Sequence, residues 1–560
     1  MQKRRSILPF VIFAVLIVCI AGVFLISTRF SPSKEKYDLN TFFGVAESTD
    51  VAIMVDNILL EDQAFYDNGD IYLSLDTIQE YICERFFFDE ELQQVIYVTP
   101  DGPQFLNEGV HTEGETLVIS LDKLLAYAQI SCRQYQDPHR LIIKTQSEEQ
   151  TYADVKTASE VRYRAGIKSP ILTSVTAGTK LEVLDTVDDW THVVSEDGCI
   201  GYIKSRFLTD IYNEAYELAN ADQVYPSFSA SRKICLAWHQ MVSASGNATL
   251  NERIANAKGI NVLSPTWFYL SDNAGSIISL ANQDYVDTCH RLGIEVWALV
   301  ENFTYDADPY EVLAYYSRRQ NLINSLISEC LAYGIDGINV DFEGIPAKAG
   351  QGFIEFIREL SVKCHQNGLV LSVDNYVPYN FNSFYCRSEQ AVFADYVIVM
   401  TYDEHLNEET GAGSVASLEY VDYSISTMLE EVPKEKLING IPFYTRLWIE
   451  TSKSEQEIAA ENANSTYSPF TLSWQTLGIS DTKRFIEEHS LVAEWDDVLG
   501  QYYVEFSEEG ANYKLWVEDE RSLEEKLKKM QEYDLAGVAA WKLGFETDSV
   551  WDMIVNYYPE

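Results

Sequence analysis

The chain has 560 residues and a formal charge of −45, with 86 acidic against 41 basic side chains. Such a length exceeds one ordinary domain and suffices for a large barrel with smaller modules. The acidic excess excludes nucleic acid as a partner, because phosphate binding needs clustered Lys and Arg, and it predicts a self-repelling exterior with little attraction to anionic lipid.

The amino end reads Lys3-Arg4-Arg5, followed by an apolar run over residues 7–26. That is the length of a bilayer-spanning helix, and basic residues ahead of it favour a cytoplasmic amino terminus. Residues 1–30 are therefore expected to form a cytoplasmic stub and a transmembrane anchor. No small-residue cleavage site follows, so the anchor is expected to be retained, with the remainder of the chain outside the membrane. Nine cysteines are scattered without C-x-x-C pairs, so neither a zinc site nor a dense disulfide framework is expected.

Residues 38–146 contain an internal repeat. Gly69-Asp70-Ile71-Tyr72-Leu73-Ser74-Leu75-Asp76 parallels Glu115-Thr116-Leu117-Val118-Ile119-Ser120-Leu121-Asp122, and Val95-Ile96-Tyr97-Val98-Thr99 parallels Leu141-Ile142-Ile143-Lys144-Thr145 at the same spacing. Each copy reads strand, short helix, strand, an α+β unit without a nucleophile or a metal cluster. The module resembles the repeat of the copper amine oxidase N-terminal domain, which implies a spacer or wall-binding unit and no copper chemistry. Residues 151–210 read as short alternating strands, with Asp189-Trp190 and the hairpin Asp197-Gly198-Cys199-Ile200-Gly201-Tyr202. This pattern is similar to a bacterial SH3-like domain, a small β-barrel, and implies a grip on peptidoglycan peptides. Trp190 and Tyr202 are either binding aromatics or core.

Over residues 230–560, apolar strand-like runs alternate with helical stretches. The strands are predicted to begin near Ile234, Ile260, Glu295, Gly337, Val370, Tyr396, Leu437 and Val538. Eight strands with intervening helices is the count of a closed (β/α)8 TIM barrel. The long gap before the last strand leaves room for a small α+β insertion at about residues 450–520.

The fourth of these strands, Asp336-Gly337-Ile338-Asn339-Val340-Asp341-Phe342-Glu343, carries the chemistry. Alternate side chains point to opposite faces, so Ile338, Val340 and Phe342 form an apolar face while Asn339, Asp341 and Glu343 share the other. Neighbouring carboxylates on the inside of a barrel push each other's pKa values apart, leaving one protonated as a general acid. The alternative is a surface strand with a solvated acidic edge. These residues resemble the signature of glycoside hydrolase family 18, D-x-x-D-x-D-x-E. Asp336, Asp341 and Glu343 match it, and Asn339 stands where the family has Asp. The resemblance implies that Glu343 is the general acid and then the base, and that Asp341 orients the substrate's own 2-acetamido group. It requires neither a protein nucleophile nor a metal or cofactor. Asn339 is expected to alter how Asp341 shares its charge.

Val397-Ile398-Val399-Met400-Thr401-Tyr402-Asp403 is similar to the family's M-x-Y-D segment. The resemblance implies inward-facing Met400 and Tyr402, a hydrogen bond from Tyr402 to the acetamido oxygen, and a sugar contact for Asp403. Ala539-Ala540-Trp541 implies an indole floor beneath the sugar. Trp297 and Asn302, Asp374 and Asn375, and Tyr444 and Arg446 end other strands, and each either binds sugar or packs. Tyr402-Asp403-Glu404-His405 with Gly413-Ser414-Val415-Ala416-Ser417, Gly440-Ile441-Pro442-Phe443-Tyr444, and Trp516-Val517-Glu518-Asp519 with Arg521-Ser522-Leu523 resemble the spore-germination and cortex-lytic branch of family 18. The expectation is a membrane-anchored bacterial glycosidase on the cell-wall side, cleaving β-1,4 bonds of N-acetylglucosamine in peptidoglycan. A chitinase, a lectin-like wall-glycan binder on the same scaffold and a structural wall tether are the other readings.

Overall fold

The computed structural model describes residues 11–19, 29–218, 223–228, 232–407, 410–454, 456, 458 and 470–558. Residues 11–19 are helical. The rest of the expected anchor at 7–26 lies outside the described residues, among which no helix is long and apolar enough to cross a membrane.

The chain divides into two compact units: residues 1–86 with 105–223, and residues 87–104 with 224–560. The first holds two seven-stranded sheets. In one, Asp70–Ser74 leads into helix Leu75–Tyr81 and Thr116–Ser120 into helix Leu121–Tyr127, each helix capped by its preceding serine. The repeat seen in sequence is thus a repeat of capped strand–helix corners.

Its closing strands part company. His139–Lys144 buries two pairs of side chains separated by the half-buried Ile142, and pairs in parallel with Asp50–Val55. Gln94–Thr99 buries four consecutive side chains, pairs with Phe87–Asp89 and belongs to the second unit. A continuous apolar run needs cover on both faces, and helices outside the barrel supply it. Tyr225 donates to the Val98 carbonyl (2.7 Å), and the Arg319 guanidinium lies 4.6 Å above the Phe87 ring. Residues 87–104 therefore depart from the single module expected over 38–146. In the other sheet of the first unit, Trp190 is core with Lys204 against its ring, while Tyr202 stacks on His192 at 4.4 Å.

The second unit is a closed barrel of eight parallel strands, numbered here β1 to β8: Ile234–His239, Val262–Leu270, Glu295–Glu301, Gly337–Asp341, Val370–Asn375, Tyr396–Met400, Leu437–Pro442 and Gly537–Trp541. β8 pairs with β1 and β7, closing the ring. Buried apolar side chains fill the space between strands and helices, and a second cluster with Trp238, Trp297 and Tyr396 plugs the interior. The helix Tyr316–Tyr333 ends on Gly334 in the left-handed region and returns at once into β4. A Cβ on Gly337 would stand 2.8 Å from both the Trp297 ring and the Val370 carbonyl, so that position admits no side chain. Between β7 and β8 lies an antiparallel five-stranded sheet spanning residues 444–517, with helix Ile479–Glu488.

Candidate active site

The carboxyl ends of the barrel strands surround a cavity of about 690 Å³, a size suited to a few sugar rings. Three neighbouring strands each contribute a carboxylate at one level. Glu301 ends β3 and is the register partner of Asp341 on β4. On β5, Asn339 pairs with Ser372, which sets Asp374 level with Asp341. All three are buried and line the cavity together with Glu343. Asp341 Oδ1 and Glu301 Oε1 have no hydrogen-bond partner among the described residues. The other oxygen of Glu301 accepts from the Phe303 and Thr304 amides (2.6 and 2.9 Å).

Burial, reinforced by the charges of Asp374, Glu343 and Glu301, holds the Asp341 carboxyl well above the usual range. Asp374 is pushed up to about 8, chiefly by burial and against the opposing hydrogen bond from Asn339. Burial also raises Glu343, while a hydrogen bond from Tyr376 pulls it down and the charges of Asp403 and Glu301 push it up. A carboxyl raised in this way retains a proton for a leaving group near neutrality.

Glu343 is held from three sides. Its amide donates to Asn302 Oδ1 (2.7 Å), and Asn302 Nδ2 donates back to its carbonyl (2.9 Å). The Tyr376 hydroxyl donates to Glu343 Oε2 at 2.7 Å and accepts the Gly344 amide. Two strands along the ring, β6 ends at Met400 and is followed by Tyr402, both lining the cavity. Burial keeps the Tyr402 hydroxyl protonated far into the alkaline range, so it serves as a donor. Asp403 has a left-handed backbone (φ 62°), pairs with Arg446 at 2.8 Å and accepts from Tyr444. Trp541 closes the floor beside Trp238, ring centroids 6.1 Å apart. Aromatic rings flank the mouth: Phe303 and Tyr305 after β3, Tyr379 and Phe381 after β5, the last two stacked at 5.5 Å. Such faces suit the apolar sides of pyranose rings.

Residues 288–546 match the model of glycosyl hydrolases family 18, and residues 157–209 that of the bacterial SH3 domain. The chain carries a family 18 glycosyl hydrolase domain. It is similar to the uncharacterized glycosylase YvbX of Bacillus subtilis, 24% identical over 309 residues, which are 53% of this chain and 84% of that protein. The cortical fragment-lytic enzyme of the same organism is 22% identical, over 43% of this chain and 54% of its own length. Among solved structures, the spore cortex-lytic enzyme SleL of Bacillus megaterium shares the fold, with a TM-score of 0.50 at 17% identity over 60% of this chain and 76% of that one.

Within the family 18 domain, Glu343, Asp341, Tyr402, Met400, Asp403, Tyr444 and Trp541 meet at one cavity. Five expected site residues lie elsewhere. Asp336 sits at the opposite end of β4, where Oδ2 accepts the Val296 amide and meets His290 Nε2, each at 2.8 Å; it ties β4 to β3. Trp297 is in the lower interior, stacked on Tyr396 and donating to Glu295, because on the inward face of β3 it lies one layer below Leu299, which lines the cavity in its place. Asn375 faces the helices and exchanges two hydrogen bonds with Gln390, since its neighbour Asp374 takes the inward direction. Arg446 does not line the cavity and reaches it through Asp403, with its other donor on the His405 carbonyl. Asn339 lies one layer below, fully engaged with Trp238, Ser264 and Asp374.

Sequence reasoning missed Glu301 and Tyr376. The alternation Glu295, Trp297, Leu299, Glu301 already placed a carboxylate at the carboxyl end of an inward face. Tyr376 follows β5 in a loop, where no periodicity fixes direction. Among the described residues, no group of three or more His, Cys, Asp or Glu is placed to hold a metal ion.

Proposed function

We propose that the chain is a retaining glycosidase cleaving the β-1,4 bond after N-acetylglucosamine in peptidoglycan, with the substrate's 2-acetamido group as nucleophile. Glu343 gives its proton to the glycosidic oxygen while the acetamido carbonyl oxygen attacks the anomeric carbon and the aglycone departs. Asp341 accepts a hydrogen bond from the acetamido N–H, and Tyr402 donates one to its oxygen. The Glu343 carboxylate then takes a proton from the water that reopens the cyclic intermediate. The observation that carries this reading is the pairing of Asp341 and Glu343 on one cavity wall, facing Tyr402 and the Trp541 floor.

Peptidoglycan is favoured over chitin by the SH3 domain at residues 157–209 and by the similarity to an enzyme named for lysing cortical fragments. The apolar segment at 7–26 is proposed to anchor the enzyme in a bacterial cell membrane, with the barrel on the wall side.

The test is release of reducing ends from purified peptidoglycan and, in parallel, from chitin, analysed by mass spectrometry. Release from peptidoglycan by the wild type and its loss in Glu343→Gln are expected. Binding without release at every pH would turn the reading into that of a wall-glycan binder.

A further inference from the structure

The family signature has Asp where this chain has Asn339, so the carboxylate beneath Asp341 is missing from β4. The side chain that replaces it is not spare. Asn339 Oδ1 accepts from Trp238 Nε1 and Ser264 Oγ, both at 2.9 Å, and Asn339 Nδ2 donates to Asp374 Oδ1 at 2.8 Å. The amide oxygen accepts twice and the amide nitrogen donates to Asp374, a bond that an ionised carboxylate at 339 has no proton to make. Asp374 stands on the adjacent strand, level with Asp341, buried, and facing the same cavity.

We infer that Asp374 is the positioning partner of Asp341: the carboxylate absent from β4 has moved to β5, and Asn339 is the bridge that fixes it there. The inference rests on the glycosidase reading and deepens it. Two carboxylates buried side by side do not both ionise, so the pair keeps one proton near neutrality. The acetamido N–H, donating to Asp341, favours its anion and leaves the pair's proton on Asp374.

The other charged groups facing the pair do not supply this function. Glu301 on β3 and Glu343 after β4 add negative charge. Asp403 after β6 is paired with Arg446, and Lys542 after β8 bonds Gln240. Among the described residues lining the cavity there is no Lys, Arg or His.

The experiment exchanges the two groups, in the full chain. Asp374→Asn is expected to lower kcat on N-acetylglucosamine oligosaccharides by about tenfold or more and to move the pH–rate profile to lower pH, because Asp341 no longer titrates against a second carboxyl. In Asn339→Asp/Asp374→Asn the amide and the carboxylate trade places, the bridge survives, and both kcat and the profile should return most of the way to wild type. An Asp374→Asn enzyme with the wild-type profile overturns the inference. So does a folded double variant no better than Asp374→Asn. If the single variant fails to fold, the double exchange decides.

A second readout needs no turnover. The folded state holds the Asp374 proton up to about pH 8, whereas the unfolded chain releases it near pH 4, as ordinary Asp does. Its stabilisation is therefore complete below about pH 4 and lost as pH rises to about 8. Asp374→Asn should flatten the fall of Tm across that window, and an unchanged slope contradicts an Asp374 that keeps its proton in the folded state, which the inference requires. Should the wild type hydrolyse nothing, the glycosidase reading fails while this measurement still judges whether Asp374 holds that proton.

Discussion

Two regions of the barrel bury ionisable side chains to the same degree and use them in opposite ways. Behind the barrel, Arg319 on helix Tyr316–Tyr333 and Glu359 on helix Gly350–Gln366 form a two-point pair at 2.9 and 3.1 Å, with no exposure on either side. Next to it, Arg358 reaches both Glu355 and Glu389. Inside the barrel, Glu301, Asp341, Glu343 and Asp374 share a cavity with no cation among its described lining residues. Burial raises a carboxyl in both places: Glu355 to about 7 and Asp374 to about 8. A raised pKa therefore does not by itself distinguish a site from a structural network. What separates the two is the counter-charge, not the unpartnered oxygen: Glu355 Oε1, like Asp341 Oδ1 and Glu301 Oε1, has no hydrogen-bond partner among the described residues, but the helices carry guanidinium groups against their carboxylates whereas the cavity carboxylates face open space with no cation among the described lining residues.

The contrast makes four predictions. Glu343→Gln removes the proton donor and should cost about 10²- to 10⁴-fold in kcat while leaving Tm near wild type, measured by reducing-end release and calorimetry. Arg319→Met does the reverse: Glu359 is left buried and unpaired, so denaturant unfolding should show a loss of about 3–5 kcal/mol, with activity per folded molecule retained. Tyr376→Phe lies between them. It deletes a hydrogen bond that lowers the Glu343 pKa, so the acid keeps its proton to higher pH. The alkaline limb of the pH–rate profile should move upward, with kcat falling only about threefold to tenfold, the weight of one ordinary hydrogen bond to a carboxyl that works in its neutral form. Asp336→Asn should change kcat by less than about twofold, since the strand rise places residue 336 about 16 Å from Asp341. A large loss there would return Asp336 to the chemistry.

Where the sequence alternates with a period of two and the barrel fixes which face is inward, the reading carried through. Six of the eight predicted strand starts coincide with the observed ones, at Ile234, Glu295, Gly337, Val370, Tyr396 and Leu437, and the other two differ by one or two residues. The inward set Asp341, Met400, Tyr402 and Trp541 came with them. Depth along a strand was not legible. Asp336 and Trp297 have the right types on the right strands but sit toward the amino ends, away from the cavity. Direction at a strand end was the second gap, because Asp374 and Asn375 are adjacent and only the barrel's closure shows which one faces in.

Contacts made by distant segments were the third gap. The signature segments around Ser417, Tyr444 and Glu518 turn out to build the junction between barrel and insertion. Ser417 accepts the Tyr420 amide as a helix cap, and Thr445 Oγ1 accepts the Glu518 amide. Glu518 itself is buried against Lys526 at 2.9 Å. Resemblance marked these residues alike, but Tyr444 lines the cavity while Ser417 and Glu518 work structurally.

The proposed chemistry depends on a neighbouring amide of the sugar doing what no side chain does. The decisive measurement compares hydrolysis of peptidoglycan glycan strands before and after chemical de-N-acetylation, by counting new reducing ends. Cleavage of the acetylated strands alone is the expected result; comparable cleavage of both would show that the nucleophile belongs to the protein or to water.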